Sequence, residues 1–110
     1  MAWVARLSIT FHELRFIYHT QAPSSAGVRA FLERHYATVK ELNPGLPIYV
    51  RPSDGVPEPY VAARIGGGEY LKREAGGQSA DGVMRLLEQM VAVTPPLDPL
   101  MRRHQLADVV

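Results

Sequence analysis

Between Phe16 and Tyr36 the chain reads FIYHTQAPSSAGVRAFLERHY, an apolar strand followed by a short polar turn and a helix. This is where thiol oxidoreductases place reactive cysteines, yet the chain contains no cysteine. Thiol redox catalysis, disulfides and thiolate metal sites are therefore excluded. Two chemistries stay open to the turn. Free amides at Ser24 to Gly27, the positive end of the helix dipole and Arg29 could hold an anion such as phosphate. The glycine spacing of a phosphate loop is missing, however, so Ser24 or Ser25 is expected to act as a helix cap. As nucleophiles these serines would need a base; His19 is near in sequence, but the turn offers no acidic residue to orient it.

The remaining reactive residues are scattered. Four histidines, His12, His19, His35 and His104, include no pair at the i, i+4 spacing that converges on a metal. His12 and His19, seven apart, would point to opposite faces of one regular strand, and His35 falls on the apolar side of the first helix. The run Gly66 to Gly68 is followed by a strand-like stretch and not a helix, so it reads as a turn. Glu69, Lys72, Arg73 and Glu74 alternate in sign along what should be an edge strand, where charge discourages edge-to-edge pairing. Arginine can bridge carboxylates or phosphates with two donors. Arg29, Arg51, Arg64, Arg102 and Arg103 are accordingly candidate partner contacts.

The elements that position these residues follow from periodicity. LSITFHELRFIYH is rich in β-branched and aromatic residues, and Leu14 to Tyr18 carries bulky groups on both faces, which suggests a central strand covered on both sides. Val28, Phe31, Leu32, His35, Val39 and Leu42 recur at three and four, predicting a helix with one buried face that stops at Asn43 to Gly45. Leu46 to Arg51 then reads as a strand parallel to the first. The prolines of PSDGVPEP leave a loop or single turn before the strand Tyr60 to Ile65, and a hairpin leads to Glu69 to Glu74. Ser79 caps a last helix with Val83, Leu86, Leu87, Met90 and Val91 on one stripe. Val28, Phe31, Leu32, Leu86, Leu87 and Met90 should pack against the sheet. The order β-α-β-β-β-α predicts an α/β fold of the thioredoxin-like kind, a four-stranded mixed sheet with flanking helices.

At 110 residues, with 46% hydrophobic residues and a formal net charge of +1, the chain suits one domain and is neither a disordered tail nor a strongly basic nucleic-acid binder. No apolar run approaches the roughly 20 residues that span a bilayer, and no secretory signal opens it, so a soluble or peripheral protein is expected. The first acidic residue is Glu13, behind Arg6 and His12, a pattern compatible with an organellar address and equally with an ordinary strand.

The blocks GVRAFLERHY, NPGLPIYVR and SADGVMRLLEQM together resemble the small thioredoxin-like accessory subunit of mitochondrial respiratory complex I, over about Leu14 to Met90 and in the same element order. The same family includes mitochondrial ribosomal proteins with a similar domain. The resemblance implies a non-catalytic, supernumerary subunit, without cofactor or metal, that supports assembly or stability of the matrix arm. Its partners would be other subunits of the peripheral arm, with no nucleic acid. It would lie peripherally on the matrix side of the mitochondrial inner membrane and meet the membrane only through the complex. The ribosomal alternative would contact RNA through a basic face, which the net charge of +1 disfavours. The turn from Thr20 to Ser25 would then persist as a link between strand and helix, its surface reused for docking. Residues 1–94 form the expected domain, and 95–110 a C-terminal extension whose Leu97, Leu100 and Met101, beside Arg102 and Arg103, are expected to wrap a partner.

Overall fold

The computed structural model describes residues 2–55 and 58–99. A 3-10 segment at Ala2–Arg6 runs into the short helix α1, Leu7–Thr10. Then follow β1 (Glu13–Tyr18), α2 (Ala26–Leu42), β2 (Ile48–Pro52), β3 (Tyr60–Arg64), β4 (Tyr70–Glu74) and α3 (Ala80–Ala92). The strands form one sheet in the order β2-β1-β3-β4, with β1 and β2 parallel and the other pairs antiparallel. This is the expected small thioredoxin-like α/β fold with a mixed four-stranded sheet.

Alternation along the strands decides what each face becomes. Leu14 and Phe16 of β1, with Val61 and Ala63 of β3, point into the core. There they meet Val28 and Phe31 of α2 and Val83, Leu87 and Met90 of α3. The Phe16 and Phe31 rings lie 5.5 Å apart, within the range of favourable tilted pairs. Four of the six expected core positions are fully buried, while Leu32 and Leu86 pack partly buried at its rim. Leu42, placed on the apolar stripe by spacing, is exposed on the last turn of α2. α2 and α3 pack against each other, so both occupy the same side of the sheet. β1 is central, as expected, but among the described residues helices cover only one of its faces.

The N-terminal residues differ from the strand expectation. Val4, Leu7 and Phe11 are spaced at three and four and are all buried, and the first segment packs on both α2 and α3. One-sided burial at that spacing favours a helix over an extended chain, whatever the β-branched content. Asn43 secures this arrangement. It is fully buried; its Oδ1 accepts from the Ser8 amide at 2.9 Å, and its Nδ2 donates to the carbonyls of Val4 (2.9 Å) and Val39 (2.8 Å). Ending α2 is thus only part of its role.

Other local expectations hold in detail. Ser79 caps α3 by accepting from the Gly82 amide at 3.0 Å, and the β3 to β4 turn needs its glycine, since Gly68 has φ +96°. Beyond Thr94, Leu97 is 5% exposed, and its amide donates to the Ile9 carbonyl at 2.8 Å.

Candidate functional site

The turn after β1 is closed upon itself. The Ser25 hydroxyl, fully buried, accepts from the His19 amide at 2.9 Å, and no side-chain cap bond forms at the start of α2. Ser25 therefore serves the exit of the strand and not, as expected, the entry of the helix. His19 Nδ1 accepts from the amides of Gln21 and Ala22, each at 2.9 Å. Arg29 Nη1 donates to the carbonyls of His19 (2.8 Å) and Ala22 (3.0 Å). Arg29, expected as a partner contact, thus has its Nη1 engaged by the turn.

The acid absent from the turn comes from the loop after β2. Asp54 Oδ1 accepts from the Thr20 amide at 3.0 Å and its hydroxyl at 2.7 Å, and lies 3.8 Å from His19 Nδ1. These two bonds, the backbone one first, hold the Asp54 carboxyl below the usual range. Serine, histidine and aspartate are close, but Ser25 meets the backbone of His19 and not its ring. They form a structural clasp, without the nucleophile-to-base bond of a hydrolytic triad.

The side of the sheet away from the helices carries a different arrangement. In its first row Glu13 is opposite Arg64, which is opposite Tyr70. Glu13 accepts from Arg15 Nε, from Arg64 Nε at 3.2 Å and from Tyr70 Oη at 3.1 Å. Burial alone would push its carboxyl up; the bonds from Arg15 and Tyr70 and the charges of Arg15 and Arg64 outweigh this and bring it below the usual range. In the second row Arg15 lies between Tyr49 and Ala62, with Lys72 beyond. The Arg15 guanidinium stands 4.8 Å from the Tyr49 ring centroid and 5.6 Å from that of Tyr70. The third row holds Arg51, Ile17, Tyr60 and Glu74. Arg51 stands 5.5 Å from the Tyr49 centroid, and Lys72 Nζ is 4.2 Å from that of Tyr60. A shallow groove of about 360 Å³ runs over Ile17 and Ala62 between these cations and rings.

Of the expected contact residues, the fold brings Arg51 and Arg64 onto this one face. Arg29 bonds the turn through Nη1. Leu97 is buried, walling a second hollow of about 310 Å³ under Gly66 and Gly67. Leu100, Met101, Arg102 and Arg103 lie outside the described residues. Sequence reasoning passed over Arg15, Tyr49, Tyr60, Tyr70 and Lys72 as parts of one surface. Their shared parity within each strand is the available signal, but only the pairing register makes them neighbours.

Among the described residues no helix is long and apolar enough to cross a membrane. Residues 28–75 match the mitochondrial ribosomal protein L51 / S25 / CI-B8 domain. The chain is 35% identical over 91 residues to an NADH dehydrogenase [ubiquinone] 1 alpha subcomplex subunit 2 of Arabidopsis thaliana, covering 83% of this chain and 93% of that one. It is 31% identical over 80 residues to the mouse protein of the same name, covering 73% and 80% of the two chains. To the NADH-ubiquinone oxidoreductase 10.5 kDa subunit of Neurospora crassa it is 32% identical over 79 residues, covering 72% and 83%. Likeness at this level across nearly the whole α/β domain shows that the chain belongs to the family of NADH dehydrogenase [ubiquinone] 1 alpha subcomplex subunit 2.

Proposed function

We propose that this protein is an accessory subunit of respiratory complex I, associated with the mitochondrial inner membrane through that complex. It works by docking and not by catalysis, supporting assembly or stability of the matrix arm from the matrix side. The observation that carries this reading is the 35% identity to a complex I subunit over 93% of that subunit's length. Two features of the fold agree with it. The turn that bears reactive thiols in oxidoreductases is here tied up by Ser25, Arg29 and Asp54, and an open sheet face rich in tyrosine and arginine is left for contact.

The reading is tested by separating detergent-solubilised mitochondrial membranes on a native gradient. The protein is expected to co-migrate with NADH dehydrogenase activity; sedimentation with mitochondrial ribosomes would overturn the assignment in favour of the RNA-contacting alternative. The non-catalytic part is tested apart from this, in an insulin-reduction assay with the purified chain. Background turnover is expected, and turnover above it in thiol-free, metal-free buffer would refute that part.

A further inference from the structure

We propose that the open face of the sheet is the surface by which this protein docks, and that its occupant is an acidic segment of a neighbouring protein subunit. The inference rests on the accessory-subunit reading and deepens it. Both long helices lie on one side of the sheet. Among the described residues no helix lies on the other side, and the connection from β2 to β3, SDGVPEP, is too short and too rich in proline to supply one. The uncovered face is not an ordinary solvated one. Three tyrosines and Ile17 stand among four cations, Arg15, Arg51, Arg64 and Lys72, against two carboxylates, Glu13 and Glu74. Two positive charges are in excess there, while the whole chain carries only +1.

Tyrosine and arginine are the residues enriched at the centres of protein interfaces. Here Arg15 and Arg51 rest over Tyr49 and Lys72 over Tyr60. Rings and cations are therefore held in place before a partner arrives, which reduces the ordering cost of binding.

Charge selects the occupant. The segment 100–110 carries Arg102, Arg103 and His104 against Asp108, so its sign matches that of the face. A second copy docking by two-fold symmetry would set the same positive patch against itself. Phosphates of RNA would meet Glu13 and Glu74, with Arg15 and Arg64 already engaged by Glu13. Asp and Glu side chains of a protein segment can instead reach Arg51, and Lys72 in exchange for the exposed Glu74 carboxylate 3.7 Å from it, one at a time, and its apolar groups can fill the groove over Ile17 and Ala62.

The test uses the full chain, expressed in cells lacking the resident protein, with complex I resolved on native gels. Arg51→Glu with Lys72→Glu turns the excess from positive to negative using two exposed side chains. This variant is expected to melt with the wild type yet to fall about tenfold in the amount incorporated. Arg51→Gln with Lys72→Gln should give an intermediate loss. Arg34→Glu with Arg85→Glu, the same charge change on the exposed helical side, should incorporate normally. A photo-crosslinking residue at position 60 should mark a stretch of a complex I subunit in which Asp and Glu outnumber Lys and Arg. Wild-type incorporation of the Arg51 and Lys72 variants, or crosslinks to RNA or to a second copy, would overturn the docking face and leave the accessory-subunit reading standing. Failure of the wild-type chain to enter complex I would overturn both.

Discussion

Glu13 shows how one side chain organises a surface. Three donors converge on its carboxylate, which lies at 8% exposure, and its folded-state pKa falls below the unfolded value. A carboxylate with a depressed pKa contributes stability that is fully present above the ordinary carboxylate range and is lost as pH falls through the folded value. Wild type should therefore melt above Glu13→Gln at neutral pH, and the gap should close as the buffer is acidified below that range. A gap that stayed constant with pH would assign the effect to packing. Asn43 has the opposite task, satisfying buried backbone where no second face exists. Asn43→Ala leaves the Ser8 amide and the Val4 carbonyl without their partner, at an expected cost of about 2–4 kcal/mol. Denaturant titration measures that loss, and faster amide exchange at Ser8 would locate it.

Helices α2 and α3 hold the sheet by their apolar stripes, and their packing is set by both a large and a missing side chain. Leu87, fully buried against the sheet, should cost about 2–5 kcal/mol on substitution by alanine. At Gly27 a Cβ would collide with the backbone carbonyl of Gln78, just before α3. Because backbone cannot give way as a flexible side chain can, Gly27→Ala should be poorly tolerated although alanine is the better helix former. A variant that melted like wild type would show that the segment before α3 is free to shift. Both stripes and the Ser79 cap were legible from spacing. The helical N-terminus was not, since Ile9 and Thr10 favour strands locally and only contact with α2 and α3 reveals which side of the segment is buried.

Taken whole, the molecule places its stability on the helical side of the sheet and its unusual charge on the other. Near the C-terminal end of the described residues, Leu97 is buried and bonded to Ile9. A chain ending at Pro99 should melt within a few degrees of the full protein, whereas one ending at Thr94, stripped of that contact, should melt roughly 5–15 °C lower. Equal melting of the two would return Leu97 to the extension. Sequence alone settled the absence of thiol chemistry, the element order from β1 to α3 and the apolar stripes, because composition and short-range periodicity are local properties of the chain. It could also single out Arg29, Arg51 and Arg64 as candidate contacts, since arginine can bridge carboxylates or phosphates with two donors. Only the tertiary structure separated their fates, sending Arg29 into the turn and the other two onto the open face. The register of four strands decides which residues far apart in sequence become neighbours, and no local pattern encodes which side of a sheet its helices leave bare.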